Sequence, residues 1–212
     1  YAHKTPWPIK QLLNIDINKI KKWEKHYWQE TDRLIVMSQQ DKEYIQKIIN
    51  EPDKIEVVAN GVDINWFDQK QRQLPAKPTI LYVGTFKWLP NIEAVAFLVE
   101  KVWPYIKQHL PDAQLKIVGN APTKKILNYQ QSAQDVIVTG RIPDIRDAFK
   151  KSHVLVAPVF SGKGTRYKIL EAMACGTPIV ASNTAGEGLN GNNQHQDLIS
   201  DDTQKMDQYT NQ

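Results

Sequence analysis

The chain has 212 residues, 41% of them hydrophobic and 24% charged, with a formal net charge of +4. This is a globular composition, long enough for one large domain or two small ones, and it excludes a disordered or fibrous chain. The modest positive charge suits an anionic ligand, but no basic stripe interleaved with aromatics argues for nucleic acid. The single cysteine, Cys175, excludes an internal disulfide and fits a reducing compartment, and no apolar run approaches the roughly 20 residues of a membrane span. The chain starts at Tyr1 and ends in a polar tail, so it reads as a fragment of something longer.

Residues 1–8 hold Pro6 and Pro8 and read as a loop. From Lys10 to about Glu30 the spacing of Leu13, Ile17, Ile20, Trp23 and Tyr27 predicts a helix. Lys19, Lys21, Lys22 and Lys25 accompany that stripe, which allows a peripheral membrane contact; interspersed acids favour packing on its own domain. A strand follows at Arg33–Met37. Ser38 caps a helix reaching Ile49, with Asp41 three residues on as in a capping box. Ile55–Ala59 is a strand closing in Asn60-Gly61-Val62-Asp63, read as the loop after a parallel strand. The polar stretch 69–77 is the expected linker between an α/β domain ending at residue 68 and another spanning 78–212.

The second domain opens with a buried strand, Thr79–Val83, ending at Gly84-Thr85-Phe86-Lys87. Asn91 is the expected cap of the next helix, and Pro104 implies a kink or a second short helix to about Leu110. Strands follow at Leu115–Val118 and Val136–Val138, the latter ending in Thr139-Gly140-Arg141. A polar helix starts near Thr123 and a short one spans Ile145–Lys151. The last elements expected are a glycine- and asparagine-rich loop from Gly186 to Asn193, a strand at Leu198-Ile199, and the start of a helix at Thr203. This β-α alternation predicts a parallel sheet with helices on both faces. In such sheets ligands bind beyond the carboxyl ends of the strands, and Gly84, Gly119, Gly140 and Ser161-Gly162 all lie there.

The strongest local signal runs from His153 to Ser182. It reads as a strand, a glycine loop (Gly162-Lys163-Gly164), a helix from about Thr165 to Cys175, a stop at Gly176 and Pro178, and another strand. Glycines let a backbone approach a ligand, and a helix start with Lys163, Arg166 and Lys168 nearby wants an anion, most plausibly phosphate. Glu171 is placed to accept from sugar hydroxyls. Arg166 and Lys168, two apart on one helix, do not easily face the same ligand. The Walker loop, the dinucleotide fingerprint, the nucleophile elbow, a zinc-type histidine pair and an Asp-x-Asp pair are all absent from the sequence.

Taken together, Val57-Val58-Ala59-Asn60-Gly61-Val62-Asp63, Ile80-Leu81-Tyr82-Val83-Gly84, Leu115-Lys116-Ile117-Val118-Gly119, Val138-Thr139-Gly140 and the run from Gly164 to Pro178 resemble the group 1 retaining glycosyltransferases of GT-B architecture. The resemblance extends in order from about Thr31 to Asp202. It implies a donor nucleotide-sugar held by the second domain and a sugar or lipid-linked acceptor held by the first, with no cofactor, no metal and no nucleic-acid partner. The implied setting is cytoplasmic, with contact at the membrane periphery as an option. By the match Glu171 binds the donor ribose, Gly162, Gly164 and Thr165 meet the diphosphate, and Gly84, Thr85 and Lys87 face it from the other side. Gly140 and Arg141 lie where the base is held, and Lys168 joins the donor-binding set. Lys163 and Arg166 are the implied catalytic cations. The family often has a glutamate eight residues before Glu171; Lys163 stands there in this chain. An inactive nucleotide-sugar-binding module and a sugar-nucleotide epimerase of the same fold are the alternatives.

Overall fold

The computed structural model describes residues 7–162, 164–186, 198–202, 205–206 and 210. The chain divides into two compact units, Tyr1–Ala59 and Asn60–Gln212. The first holds helix α1 (Trp7–Glu30), strand β1 (Leu34–Val36), helix α2 (Gln39–Ile49), a 3-10 turn at Pro52–Lys54 and strand β2 (Ile55–Val57). The two strands pair in parallel. Ser38 caps α2, its hydroxyl accepting from the Asp41 amide at 3.1 Å. A small core of Val36, Ile45, Ile49 and Ile55 joins these elements, with Trp28 packed against it.

The stripe on α1 departs from the expected packing. Trp23 is 64% exposed, and Ile20 and Tyr27 are also exposed. At the end of the helix Trp28 meets Tyr44 edge-on at 6.5 Å. Two short strands are too small a surface to cover a helix of 24 residues.

The second unit begins with α3 (Ile64–Asp68), capped by Asp63, and continues through β3 (Thr79–Val83), α4 (Leu89–Phe97), a π-helical turn (Leu98–Val102) and α5 (Trp103–His109). It goes on with β4 (Gln114–Val118), α6 (Lys124–Ser132), β5 (Val136–Gly140), α7 (Ile145–Lys150) and β6 (Val154–Ala157). The chain then enters α8 (Tyr167–Ala174), β7 (Ile179–Ala181), α9 (Asn183–Gly186) and β8 (Leu198–Ile199). The glycine- and asparagine-rich segment expected beyond Gly186, and much of the helix expected from Thr203, lie outside the described residues.

Among the described residues the sheet has six parallel strands in the order β5-β4-β3-β6-β7-β8. Burial explains that order. Leu81, Tyr82, Leu155 and Val156, on the central strands, have no measurable exposure. Such strands must be covered on both faces, and the crossover helices supply that cover. On edge strand β5, Val136 is buried but Ile137 is 37% exposed. The direction of winding reverses between β3 and β6, which opens a crevice beyond their carboxyl ends.

The compact units part before the stretch read as a linker. Phe67 is buried in the core of the second unit. Arg146 lies 4.0 Å over the Trp66 ring, and Lys70 pairs with Asp144 at 2.7 Å and Asp147 at 2.9 Å. Arg72 donates to the carbonyls of Gly176, Ser152 and His153. The polarity of residues 69–77 thus reflects ion pairs and carbonyl contacts on the sheet domain. Such a stretch looks like a solvated linker when only composition is visible.

Candidate functional site

The cleft lies at the strand ends around the reversal point and measures about 590 Å³. Gly84, Thr85 and Trp88 form the side beyond β3. Gly119 and Asn120 follow β4, and Arg141 and Ile142 follow β5. Thr165 to Lys168 and Glu171 close it from the start of α8. Backbone bonds pin the loops together: the Gly84 amide donates to the Val118 carbonyl, Phe86 to Asn120, and Gly119 to Gly140. The loops of the site are therefore held to one another at the carboxyl ends of the strands.

The glycine loop adopts backbone that side chains disfavour. Gly162 has φ +89° and Gly164 φ +97°. The chain thereby turns sharply from β6 toward α8, whose opening turn carries amides without intrahelical acceptors and the positive end of the helix dipole. Gly176, at φ +67°, follows the other end of α8 and stops it.

Arg166 is the cap residue of α8, with φ −89° and ψ 91°, and lies outside the helix. The expectation that Arg166 and Lys168 would not share one ligand assumed a helix from Thr165. With the helix starting at Tyr167, both side chains line the cleft. The Arg166 guanidinium turns back on the loop, Nη2 donating to the Ser161 carbonyl at 3.1 Å and to Gly162 at 2.7 Å. Its Nε is buried with no hydrogen-bond partner among the described residues.

Lys168 is partly buried. Its ammonium donates to Asn91 Oδ1 at 3.0 Å and to the Tyr82 hydroxyl at 3.2 Å. Burial, and secondarily the Arg166 charge, pushes it down to about 7, against the pull of Glu171. Glu171 lines the same cleft, and burial holds its carboxyl above the usual range while Lys168 opposes that shift. Ionisable groups perturbed in this way within one cleft mark a candidate binding site.

Of the residues named from sequence, Gly84, Thr85, Arg141, Thr165, Arg166, Lys168 and Glu171 line the cleft. Gly140, Gly162, Gly164 and Lys87 do not, although Gly140, Gly162 and Gly164 sit in the loops that shape it; Lys87 is exposed. Lys163 lies outside the described residues. Asn91 is not the cap of α4. Trp88 takes that position, because Pro90 near the helix start has no amide to be capped. Asn91 instead donates to the Thr85 carbonyl at 2.9 Å and accepts from Lys168. Tyr82, Trp88, Asn91, Asn120 and Tyr167 also line or adjoin the cleft and were not named as site residues from sequence. Tyr82 carried a signal, since a hydroxyl in a fully buried strand must find a partner.

A parallel sheet wound in both directions, with a basic and carboxylate-bearing cleft at its reversal point, is the α/β architecture of a GT-B domain. Residues 77–209 match the family described as "Glycosyl transferases group 1", and residues 1–66 match "Glycosyltransferase Family 4". The chain belongs to the group 1 glycosyltransferases. It is 30% identical over 183 residues to UDP-Gal:alpha-D-GlcNAc-diphosphoundecaprenol alpha-1,3-galactosyltransferase of Escherichia coli, covering 77% of this chain and 44% of that protein. Its fold is similar to HepE of Anabaena in complex with UDP and glucose (TM-score 0.63, 15% identity, 85% of this chain and 53% of the other). It is also similar to sucrose-phosphate synthase of Thermosynechococcus elongatus (TM-score 0.68, 22% identity, 88% and 50%). The chain thus spans less than half the length of the E. coli relative. No helix among the described residues is long and apolar enough to cross a membrane.

Proposed function

We propose that this chain carries the donor half of a glycosyltransferase, one that moves a sugar from a nucleoside-diphosphate sugar to a sugar or lipid-linked acceptor with retention. The observation that carries the reading is the cleft itself: Glu171, Lys168 and Arg166 converge with the Gly84 and Thr165 backbone at the reversal point of the sheet. Uridine diphosphate is the first nucleotide to test, because the E. coli relative is named for UDP-Gal and the Anabaena structure holds UDP. The name of the E. coli relative also favours transfer over epimerisation, and it names alpha-D-GlcNAc-diphosphoundecaprenol beside UDP-Gal.

In this reading Glu171 accepts from the ribose hydroxyls, and the loops at Gly84-Thr85 and Gly164-Thr165 face the diphosphate. Arg141 and Ile142 flank the base. As the sugar leaves, negative charge grows on the diphosphate. Preorganised amides and the Arg166 guanidinium before α8 meet that charge, and one such donor is typically worth about 3–4 kcal/mol. No step calls on a metal, which fits a sequence without an Asp-x-Asp pair. Titration calorimetry with UDP, GDP and ADP tests the donor half. UDP should bind in preference to the others, and a folded chain that binds none of the three at millimolar concentration overturns the reading.

A further inference from the structure

The groups that hold Lys168 come from parts of the chain far apart in sequence. Its Nζ contacts Asn91 Oδ1 on α4 and the Tyr82 hydroxyl on β3, and lies 4.4 Å from the centre of the Tyr82 ring. Tyr82 Oη also donates to Asn91 Oδ1 at 3.0 Å. Asn91 Nδ2 in turn donates to the Thr85 carbonyl at 2.9 Å. The contacts therefore run from α8, across the crevice between β3 and β6, to the loop after β3.

An ammonium has donors only, so Asn91 must present its oxygen to Lys168 and its amide hydrogens to Thr85. That fixes the orientation of Asn91, and through it the Gly84-Thr85 backbone. A neutral amine would lose the charge assistance that makes such a bond strong.

We propose that Lys168 is a positioning residue of the nucleotide site, its ammonium acting through Asn91 to set the Gly84-Thr85 wall against the α8 wall. This rests on the reading of the cleft as a nucleoside-diphosphate site. The charged groups around the ammonium are Arg166 before α8 and Glu171 one turn on; Tyr82 faces it from β3, and Asn91 on α4 carries no charge. Burial and Arg166 favour the neutral amine, while Glu171 and an arriving diphosphate favour the cation. Lys168 therefore changes charge near neutral pH in the empty site, and nucleotide binding takes up a proton above that pH.

Two measurements test this. Amide hydrogen exchange on the empty chain should quicken across residues 84–91 in Lys168→Met, with β4 and β5 unchanged. Unaltered exchange at 84–91 in a folded variant overturns the positioning role, whether or not the cleft binds nucleotide. UDP affinity is then followed from pH 7 to 9, above the last phosphate ionisation near about 6. Wild type should weaken roughly tenfold over that range as the cation is lost, and Lys168→Arg, which stays charged, should hold constant. A flat wild-type profile overturns the proposal even if Lys168→Met fails to fold. Failure of wild type to bind UDP at any pH counts against the nucleotide reading, and leaves the exchange experiment to decide the role of Lys168.

Discussion

A Cβ atom added to Gly119 would lie 1.6 Å from the carbonyl oxygen of Gly84. The ends of β3 and β4 approach so closely that only glycine fits, and Gly119 also has φ +155°. The contact is backbone against backbone, so no side chain can rotate away to relieve it. Gly119→Ala must therefore separate the strand ends or break the bond from the Gly84 amide to Val118. The expected loss of stability is about 2–4 kcal/mol, typical of a forced overlap in a packed core. Urea unfolding checks it, and a variant within about 0.5 kcal/mol of wild type would show that the strand ends part at little cost.

Arg166 is expected to act on the glycine loop more than on overall stability. Its Nη2 holds the Ser161 and Gly162 carbonyls, and the fixed planar geometry of a guanidinium orients the loop in a way a freely rotating ammonium does not. Arg166→Lys and Arg166→Ala should both weaken UDP binding by about tenfold or more, consistent with loss of charge-assisted bonds, while the melting temperature moves by no more than about 2–3 °C. Calorimetry and thermal unfolding on the same samples separate the two effects. Equal affinity in Arg166→Lys would mean that charge alone matters there and the strap does not.

Much of this site was legible from sequence for identifiable reasons. The strand-glycine-helix run from His153 to Ser182 carries its own punctuation, and Gly84 and Gly119 announce close approaches because no other residue tolerates them. The parallel, doubly covered sheet follows from uninterrupted apolar strands such as Val154–Ala157. The missing pieces fail where local pattern is silent. Helix α3 has five residues, too few to show a period, and its Phe67 is held by tertiary packing. Asn91 looked like a cap because caps are local, whereas its partner Lys168 lies 77 residues away and is brought to it only by the winding of the sheet. The start of α8 was placed two residues early, which misdirected Arg166.

Glu171 should show a conflict between stability and binding. Burial holds its carboxyl above the usual range, so the folded empty chain favours the protonated form. The sign follows directly: this group's contribution to stability is most favourable at acid pH and declines as pH rises through the unfolded-state value and up to the folded one. At pH 7 the charged carboxylate is therefore a cost to the empty fold. Glu171→Gln should raise the melting temperature of the empty chain by about 1–3 °C while weakening UDP binding at least about tenfold. It should also reduce the preference for UDP over its deoxyribose analogue, if the carboxylate accepts from ribose hydroxyls. A variant that binds both nucleotides as wild type does would remove Glu171 from the donor site.

The cluster around Asp144 gives a prediction independent of any ligand. Arg146 first, and Lys70 second, hold the Asp144 carboxyl well below the usual carboxylate range. Its stabilising effect is therefore complete above the unfolded-state value near about 3.9 and is lost as pH falls through the lower folded value. Asp144 also caps α7, accepting from the Arg146 amide at 3.0 Å. Asparagine caps about as well as aspartate, so Asp144→Asn removes the ion pairs and keeps the cap. At pH 7 the variant should melt about 2–4 °C below wild type, and the gap should close progressively below about pH 4. The ion pairs anchor Lys70 and, through Arg146, the Trp66 ring, so the same variant should loosen residues 64–72 in hydrogen exchange. A gap that persists unchanged at acid pH would assign the loss to the cap instead of the charge.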